Sequence, residues 1–228
     1  MLIDLTCQVD QQDWPEISVY DRVFRQLITN GNFLVEYLFN KSLKKDFYQG
    51  ENRYQIGAIL PTYKKEIAEG IRHLSIESIR NRFHVIKKEF SEQELNYLTT
   101  LDGINHFALG LRNSQNEGIA VARMIRTDLE TVEAEVAITI IDHYQHKGLG
   151  LFLFKCITYA AFERGIQTLI ISCFDHNEGM LRLTGKIGRI IRRVRYQNTL
   201  TVYIELNEAE MKVIEKELRS CLNLFPEL

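Results

Sequence analysis

The sequence predicts an α/β domain with a mixed β-sheet covered by helices on both faces, and three observations lead there. Strand-type and helix-type segments alternate from residue 51 onward. Three strands follow one another directly in the middle of the chain. The alternating, β-branched "AEVAITI" (134–140) then passes through a glycine-bearing turn into "LFLFKCITYAAFERG" (151–165), which is too long and apolar for a strand and reads as a buried helix closed by Gly165.

Residues 1–50 differ in character. "VYDRVFRQLI" (19–28) and "NFLVEYLFNKSL" (32–43) have helical apolar spacing and are parted by Asn30-Gly31, so a helical N-terminal extension over 1–50 is expected ahead of a domain over 51–228. "NRYQIGAIL" reads as a strand and "PTYKKEIAEGIRHL" as a helix with Pro61 near its start. Ser75 offers an N-cap for a short helix, and Ser91 with Glu94 forms a capping box for another. "NHFALGLR" and "GIAVARMIR" flank the polar turn "NSQNE" and, with "AEVAITII", should make a meander. The helix over 149–164 and the apolar "TLIISCF" complete a strand–helix–strand unit, which favours parallel pairing. A helix over "NEGMLRLTGKIG", two strands "RIIRRVRY" and "LTVYIEL" about the turn "QN", and the amphipathic "EAEMKVIEKELRSCL" follow.

With 228 residues, 45% hydrophobic and 25% charged, the chain can build a substantial core. A net charge of −2 points to neither nucleic acid nor a membrane surface. The four cysteines lack C-x-x-C spacing, and Cys156 and Cys173 fall in apolar patterns that suit reduced, buried thiols. The N-terminus has neither the basic nor the apolar region of a signal peptide, no stretch approaches a membrane span, and a cytoplasmic protein is expected.

The turn "IDHYQHKGLG" carries the chemistry. A strand that enters a helix through such a turn leaves backbone N–H groups without partners, and these can hold a phosphate. The spacing is neither G-x-G-x-x-G nor G-x-x-x-x-G-K-[ST], which sets aside the dinucleotide and nucleotide-triphosphate readings. From the turn alone, glycines that merely permit positive φ explain the residues equally well.

Gln145-His146-Lys147-Gly148-Leu149-Gly150 resembles motif A of the GNAT N-acetyltransferase superfamily: Gln or Arg, two residues, Gly, one residue, then Gly or Ala. "DHNEGMLRLTGKIG" is similar to the family's next motif through Asn177, Leu183, Lys186 and Gly188. The likeness covers about residues 52–206, and "AEVAITIIDHYQHKGLG" with "LSIESIRNRF" and "LTTLDGINHFALGL" looks most like the acetyltransferase domain of bacterial protein-lysine acetyltransferases.

The resemblance implies a GNAT acyl-coenzyme A acyltransferase fold that moves an acetyl group from acetyl coenzyme A to a primary amine by direct attack in a ternary complex. It implies that the turn 145–150 holds the pyrophosphate, that Ile138, Thr139 and Ile140 pair with the pantetheine arm, that a backbone N–H there polarises the acetyl carbonyl, and that Asn177 adds to the cosubstrate site. It makes Glu135 the general base. Strand parity puts Glu133 on the same face, where an edge or salt-bridged carboxylate is the favoured reading. Thr184 stands where many relatives carry a general-acid tyrosine, and Arg189 where an aromatic is common. A coenzyme A thiol is itself fairly acidic, so its thiolate can leave without a strong donor.

Lys186, Arg189, Arg192, Arg193 and Arg195 form a basic run that reads chiefly as a solvated strand face. His106 and His143 show no metal-ligand pattern, and no metal site is expected. His106 reads as a partly buried strand residue, and Ser172 has no nucleophile-elbow context. The expected partner is an amine acceptor, a protein lysine or a small molecule, with no nucleic acid and no membrane; a homodimer is left open. An acyl-coenzyme A binding or sensing module of the same fold is the alternative.

Overall fold

The computed structural model describes residues 44–222. Its sheet has eight strands in the order β1-β2-β3-β4-β5-β6-β8-β7. They are β1 (Lys45–Gln49), β2 (Asn52–Ala58), β3 (His106–Arg112), β4 (Gly118–Arg126), β5 (Glu133–Ile140), β6 (Thr168–Phe174), β7 (Arg189–Tyr196) and β8 (Thr199–Glu205). Every neighbouring pair is antiparallel except β5 and β6, which run parallel. The helices are α1 (Lys64–Gly70), α2 (Ile76–Phe83), α3 (Glu92–Thr99), α4 (Leu149–Phe162), α5 (Glu178–Thr184) and α6 (Glu208–Cys221).

The parallel pair follows from its connection, since α4 carries the chain from the end of β5 back to the start of β6. Ten of the fourteen residues of α4 are buried, because the sheet covers one side and α6 the other through Met211, Ile214 and Leu218. Strand register sorts the side chains. Ala120, Ala122 and Met124 of β4 join Ala134 and Val136 of β5 in the core around α4. Arg123 and Ile125 lie opposite Ala137 and Glu135, on the face that meets α1, α2 and α3.

Three elements depart from the sequence reading. The sheet already begins at Lys45, because Phe47 is 1% exposed and stacks on Phe152 of α4 with ring centroids 4.0 Å apart. The segment up to residue 50 is therefore not helical throughout, and the helices expected at 19–28 and 32–43 lie outside the described residues. The helix expected over 61–74 breaks into a 3-10 turn, α1 and a second 3-10 turn, with Pro61 in the first turn as anticipated. The helix after Asn177 closes at Thr184, leaving Lys186 and Gly188 in the link to β7. Gly188 is needed there because a Cβ would stand 2.6 Å from the Glu205 carbonyl oxygen.

The Ser75 cap and the Ser91–Glu94 capping box both form. Asp102 is a further anchor that no pattern signalled. It is 5% exposed, and its Oδ1 accepts the backbone N–H groups of Ile104, Asn105 and His106, each at 2.8 Å. Asp102→Ala orphans three donors at the entry to β3, and urea unfolding is expected to register a loss of about 3 kcal/mol. A loss under 1 kcal/mol would mean that water replaces the carboxylate.

Candidate functional site

Parallel pairing of β5 with β6 spans only Glu133↔Thr168, Ala134↔Leu169 and Glu135↔Ile170. Beyond Glu135 the two strands part: β5 stays with β4 as far as Ile140↔Ala120, while β6 stays with β8 as far as Phe174↔Thr199. A gap opens with a free strand edge on one side. The Ile141 N–H donates to the Ile119 carbonyl at 2.9 Å, and the alternation of an antiparallel ladder then turns Thr139 toward β4 and Ile138 and Ile140 toward the gap. Of the three residues expected to pair with a pantetheine arm, Ile138 presents its N–H and C=O to it and Ile140 its N–H, the Ile140 carbonyl being held by Gln145 Nε2. Thr139 does not, because its N–H and C=O face β4.

The gap leads to the turn before α4. His146 and Gly148 have positive φ, 59° and 81°, so successive N–H groups curve around one side. The first helical bond there runs from the Phe152 N–H to the Gly148 carbonyl at 3.2 Å. Among the described residues, the backbone N–H groups of His146, Lys147, Gly148, Leu149, Gly150 and Leu151 have no acceptor. Donors of this kind at a helix N-terminus form an anion site.

Gln145 has a different part. Its backbone N–H is bound to the Asp142 carbonyl, and its side-chain Nε2 donates to the Ile140 carbonyl at 3.1 Å and to Ser78 Oγ at 3.0 Å. It ties the turn to the end of β5 and to α2 rather than facing an anion. Gly148 requires its left-handed backbone, and a Cβ there would lie 2.6 Å from Gln49 Nε2. A Cβ on Gly150 would point between Ile140 and Leu183, 3.3 and 3.5 Å from their methyl groups.

Past the open edge lies a cavity of about 590 Å³ between β4–β6 and the α2–α3 segment. Glu135 lines it beside Arg123 of β4, with Arg82 and Tyr97 on the helical side and Ile138 and Asn177 toward the gap. Burial pushes the Glu135 carboxyl from its usual 4.5 up to about 7, against smaller downward pulls of which that of Arg82 is one. The group is thus held near the balance of acid and base at neutral pH, as a general base requires.

The GNAT domain of an S. lividans PAT superposes on this architecture with a TM-score of 0.65, over 72% of this chain and 97% of that one, at 20% identity. The chain has the GNAT fold. A cAMP-binding acyltransferase from Mycobacterium smegmatis shares the fold over 90% of this chain and 64% of its own, with a TM-score of 0.51 and 20% identity. In sequence the chain is 27% identical over 138 residues to an acetyltransferase Pat of Mycolicibacterium smegmatis, and these span 60% of this chain and 41% of that relative. No family model matches the chain.

Other residues singled out by the sequence have structural partners in this GNAT-fold domain. Thr184 is 2% exposed and donates to the Leu181 carbonyl at 2.8 Å, so it is a helix residue and not a proton donor. Asn177 borders the cavity and caps α5, its Oδ1 accepting the Met180 N–H at 3.1 Å. The arginines of β7 are a solvated face. Arg189 pairs with Glu205, Arg195 with Asp175, and Arg192 lies 3.6 Å over the Tyr203 ring.

His106 is 2% exposed and meets the Arg123 guanidinium through Nε2; burial and then Arg123 hold its pKa well below the usual range. It is a neutral acceptor in the core. Cys156 and Cys173 are buried free thiols. No helix among the described residues is long and apolar enough to cross a membrane, and none of them form a group of three His, Cys, Asp or Glu able to hold a metal.

Arg82 and Arg123 are the cavity residues that sequence reasoning missed. Arg123 sits in "GIAVARMIR", where a charged residue in an apolar strand was the available signal. It is 4% exposed and donates to the Leu98 carbonyl at 2.7 Å.

Proposed function

We propose that this GNAT domain is an N-acetyltransferase that moves the acetyl group of acetyl coenzyme A to a primary amine. The observation that carries the proposal is the alignment of three parts along one path: the unpaired N–H groups of residues 146–151, the free edge at Ile138 and Ile140, and Glu135 in the cavity beyond. A pyrophosphate suits the first, an extended amide-bearing arm the second, and an amine that must lose a proton the third.

In this mechanism Glu135 accepts the amine proton, directly or through water, and the amine attacks the thioester carbon. A backbone N–H on the open edge of β5 donates to the carbonyl oxygen as charge develops there. The coenzyme A thiolate leaves as the amide forms, and no acyl-enzyme intervenes. A thiol with a pKa near ~8.5 departs as an anion without a strong acid, which fits a buried Thr184. The perturbed carboxyl of Glu135 also favours catalysis over a module that only binds acyl coenzyme A, since binding alone gives no use for a base near neutrality.

Acetyl coenzyme A is expected to raise the melting temperature, because it binds the folded chain and not the unfolded one. At about 100 times the dissociation constant the gain is roughly 2.7 kcal/mol. Differential scanning fluorimetry measures it, and thiol release over an amine panel measures turnover. No melting shift at millimolar acetyl coenzyme A would overturn the proposal.

A further inference from the structure

We propose that the acceptor is an amino acid, an amine bearing its own carboxylate, with Arg82 binding the carboxylate while Glu135 receives the amine. This inference rests on the acetyltransferase reading above and narrows its acceptor. Arg82 stands in the last turn of α2, Glu135 on β5, and both line the same cavity. Among the described residues neither side chain makes a hydrogen bond or an ion pair, and the two do not pair with each other. The ring of its neighbour Phe83 lies 5.0 Å from the guanidinium carbon.

The other charged groups of the described residues that line the cavity are already matched. Lys87 meets Glu94 at 2.6 Å, and Arg123 is held by the Leu98 carbonyl and His106. His84 is kept below its usual pKa, first by burial and then by the Arg82 charge. Burial lowers Arg82 to about 10, with Tyr97 and Glu135 drawing it back up, so the guanidinium remains charged at neutral pH.

Opposite charges left half-buried without partners are unfavourable until something supplies both counterparts. A zwitterion does so in one molecule: its ammonium meets Glu135, and its carboxylate can take two parallel N–H···O bonds from the planar guanidinium. A simple alkylamine satisfies Glu135 alone and leaves Arg82 desolvated. A lysine within a peptide does the same unless an acidic neighbour reaches Arg82.

The test uses the full chain and acetyl coenzyme A, with thiol release as the readout. The probes are the common amino acids, their carboxamides and decarboxylated amines, and a lysine peptide with blocked termini. The best amino acid is expected to exceed its carboxamide and its decarboxylated amine in kcat/KM by about 10- to 100-fold, the range of a hydrogen-bonded charge pair. Arg82→Gln brings that ratio close to one, with the loss in KM for the carboxylate, and Arg82→Lys restores part of it. The melting shift with acetyl coenzyme A shows that each variant is folded with an intact cosubstrate site.

A ratio near one in the wild type, a ratio that survives Arg82→Gln, or turnover confined to the peptide would overturn the proposal. Each of these still releases coenzyme A and leaves the acetyltransferase reading standing. Acetyl coenzyme A binding without turnover of any amino acid also overturns it. Absence of both binding and turnover overturns the two together.

Discussion

Glu135→Gln is expected to lower turnover roughly 100- to 10,000-fold while leaving acetyl coenzyme A affinity nearly unchanged. A lysine-like amine has a pKa of ~10.4, so presenting it neutral at pH 7 costs about 4.6 kcal/mol unless a base removes the proton. Burial raises the Glu135 carboxyl to about 7, which brings it far closer to that task than an ordinary carboxylate. The ionised form is the base, so wild-type kcat/KM should fall as pH drops below about 7. The glutamine variant lacks this limb and recovers partly at high pH, where more of the acceptor arrives neutral. Superimposable pH–rate profiles would show that Glu135 is structural and that the base lies elsewhere.

The same substitution has a signature in stability. The folded pKa lies above the unfolded value of 4.5, so the folded state holds the proton more tightly. That contribution is fully present below about 4.5 and is lost as pH rises through about 7. At about 1.36 kcal/mol per pKa unit, the wild type should lose up to about 3 kcal/mol relative to the glutamine variant across this window. Urea unfolding at pH 4 and pH 8 measures the difference, which should be near zero at the first and favour the variant at the second. An equal difference at both pH values would mean that Glu135 titrates normally in the folded chain.

Gly148→Val is expected to abolish the melting shift produced by acetyl coenzyme A. A β-branched residue at φ 81° strains the backbone by about 1–2 kcal/mol, and its Cβ enters the space of the Gln49 side chain beside the turn. Either effect turns the N–H groups of residues 146–151 out of their common concavity. Gly148→Asn separates the two, since asparagine tolerates the left-handed region. If the asparagine variant folds and still fails to bind, the open space over the turn is what the cosubstrate needs. If it binds as the wild type does, the glycine serves the backbone conformation alone.

The sequence by itself determined most of the secondary structure, because the responsible interactions are local. Alternating β-branched residues fit only a half-buried pleat, the Ser91–Glu94 box closes within four residues, and the 3.6-residue apolar spacing of α6 presents one face to the core. It also located the turn with unpaired N–H groups, since such groups follow from any strand that turns abruptly into a helix. Glu135 was legible as an acid in an otherwise apolar strand.

Only the tertiary structure decided how these parts work together. The parting of β5 from β6 depends on β8 taking over the pairing of β6, and no residue within β5 encodes it. β1 joins the sheet because Phe47 finds Phe152, more than 100 residues away in the chain. Gln145 looked like an anion ligand in the linear motif, yet the fold brings Ile140 and Ser78 within reach of its amide and directs it to them. Arg82 was one charge among several in the helix capped by Ser75 until α2 was set over β5, where it lines the same cavity as Glu135. Hydrogen-bond alternation and helix spacing act over a few residues and can be read along the chain. Which strand edge stays open, and which charges are left facing each other, depends on contacts between distant segments that exist only once the sheet has closed.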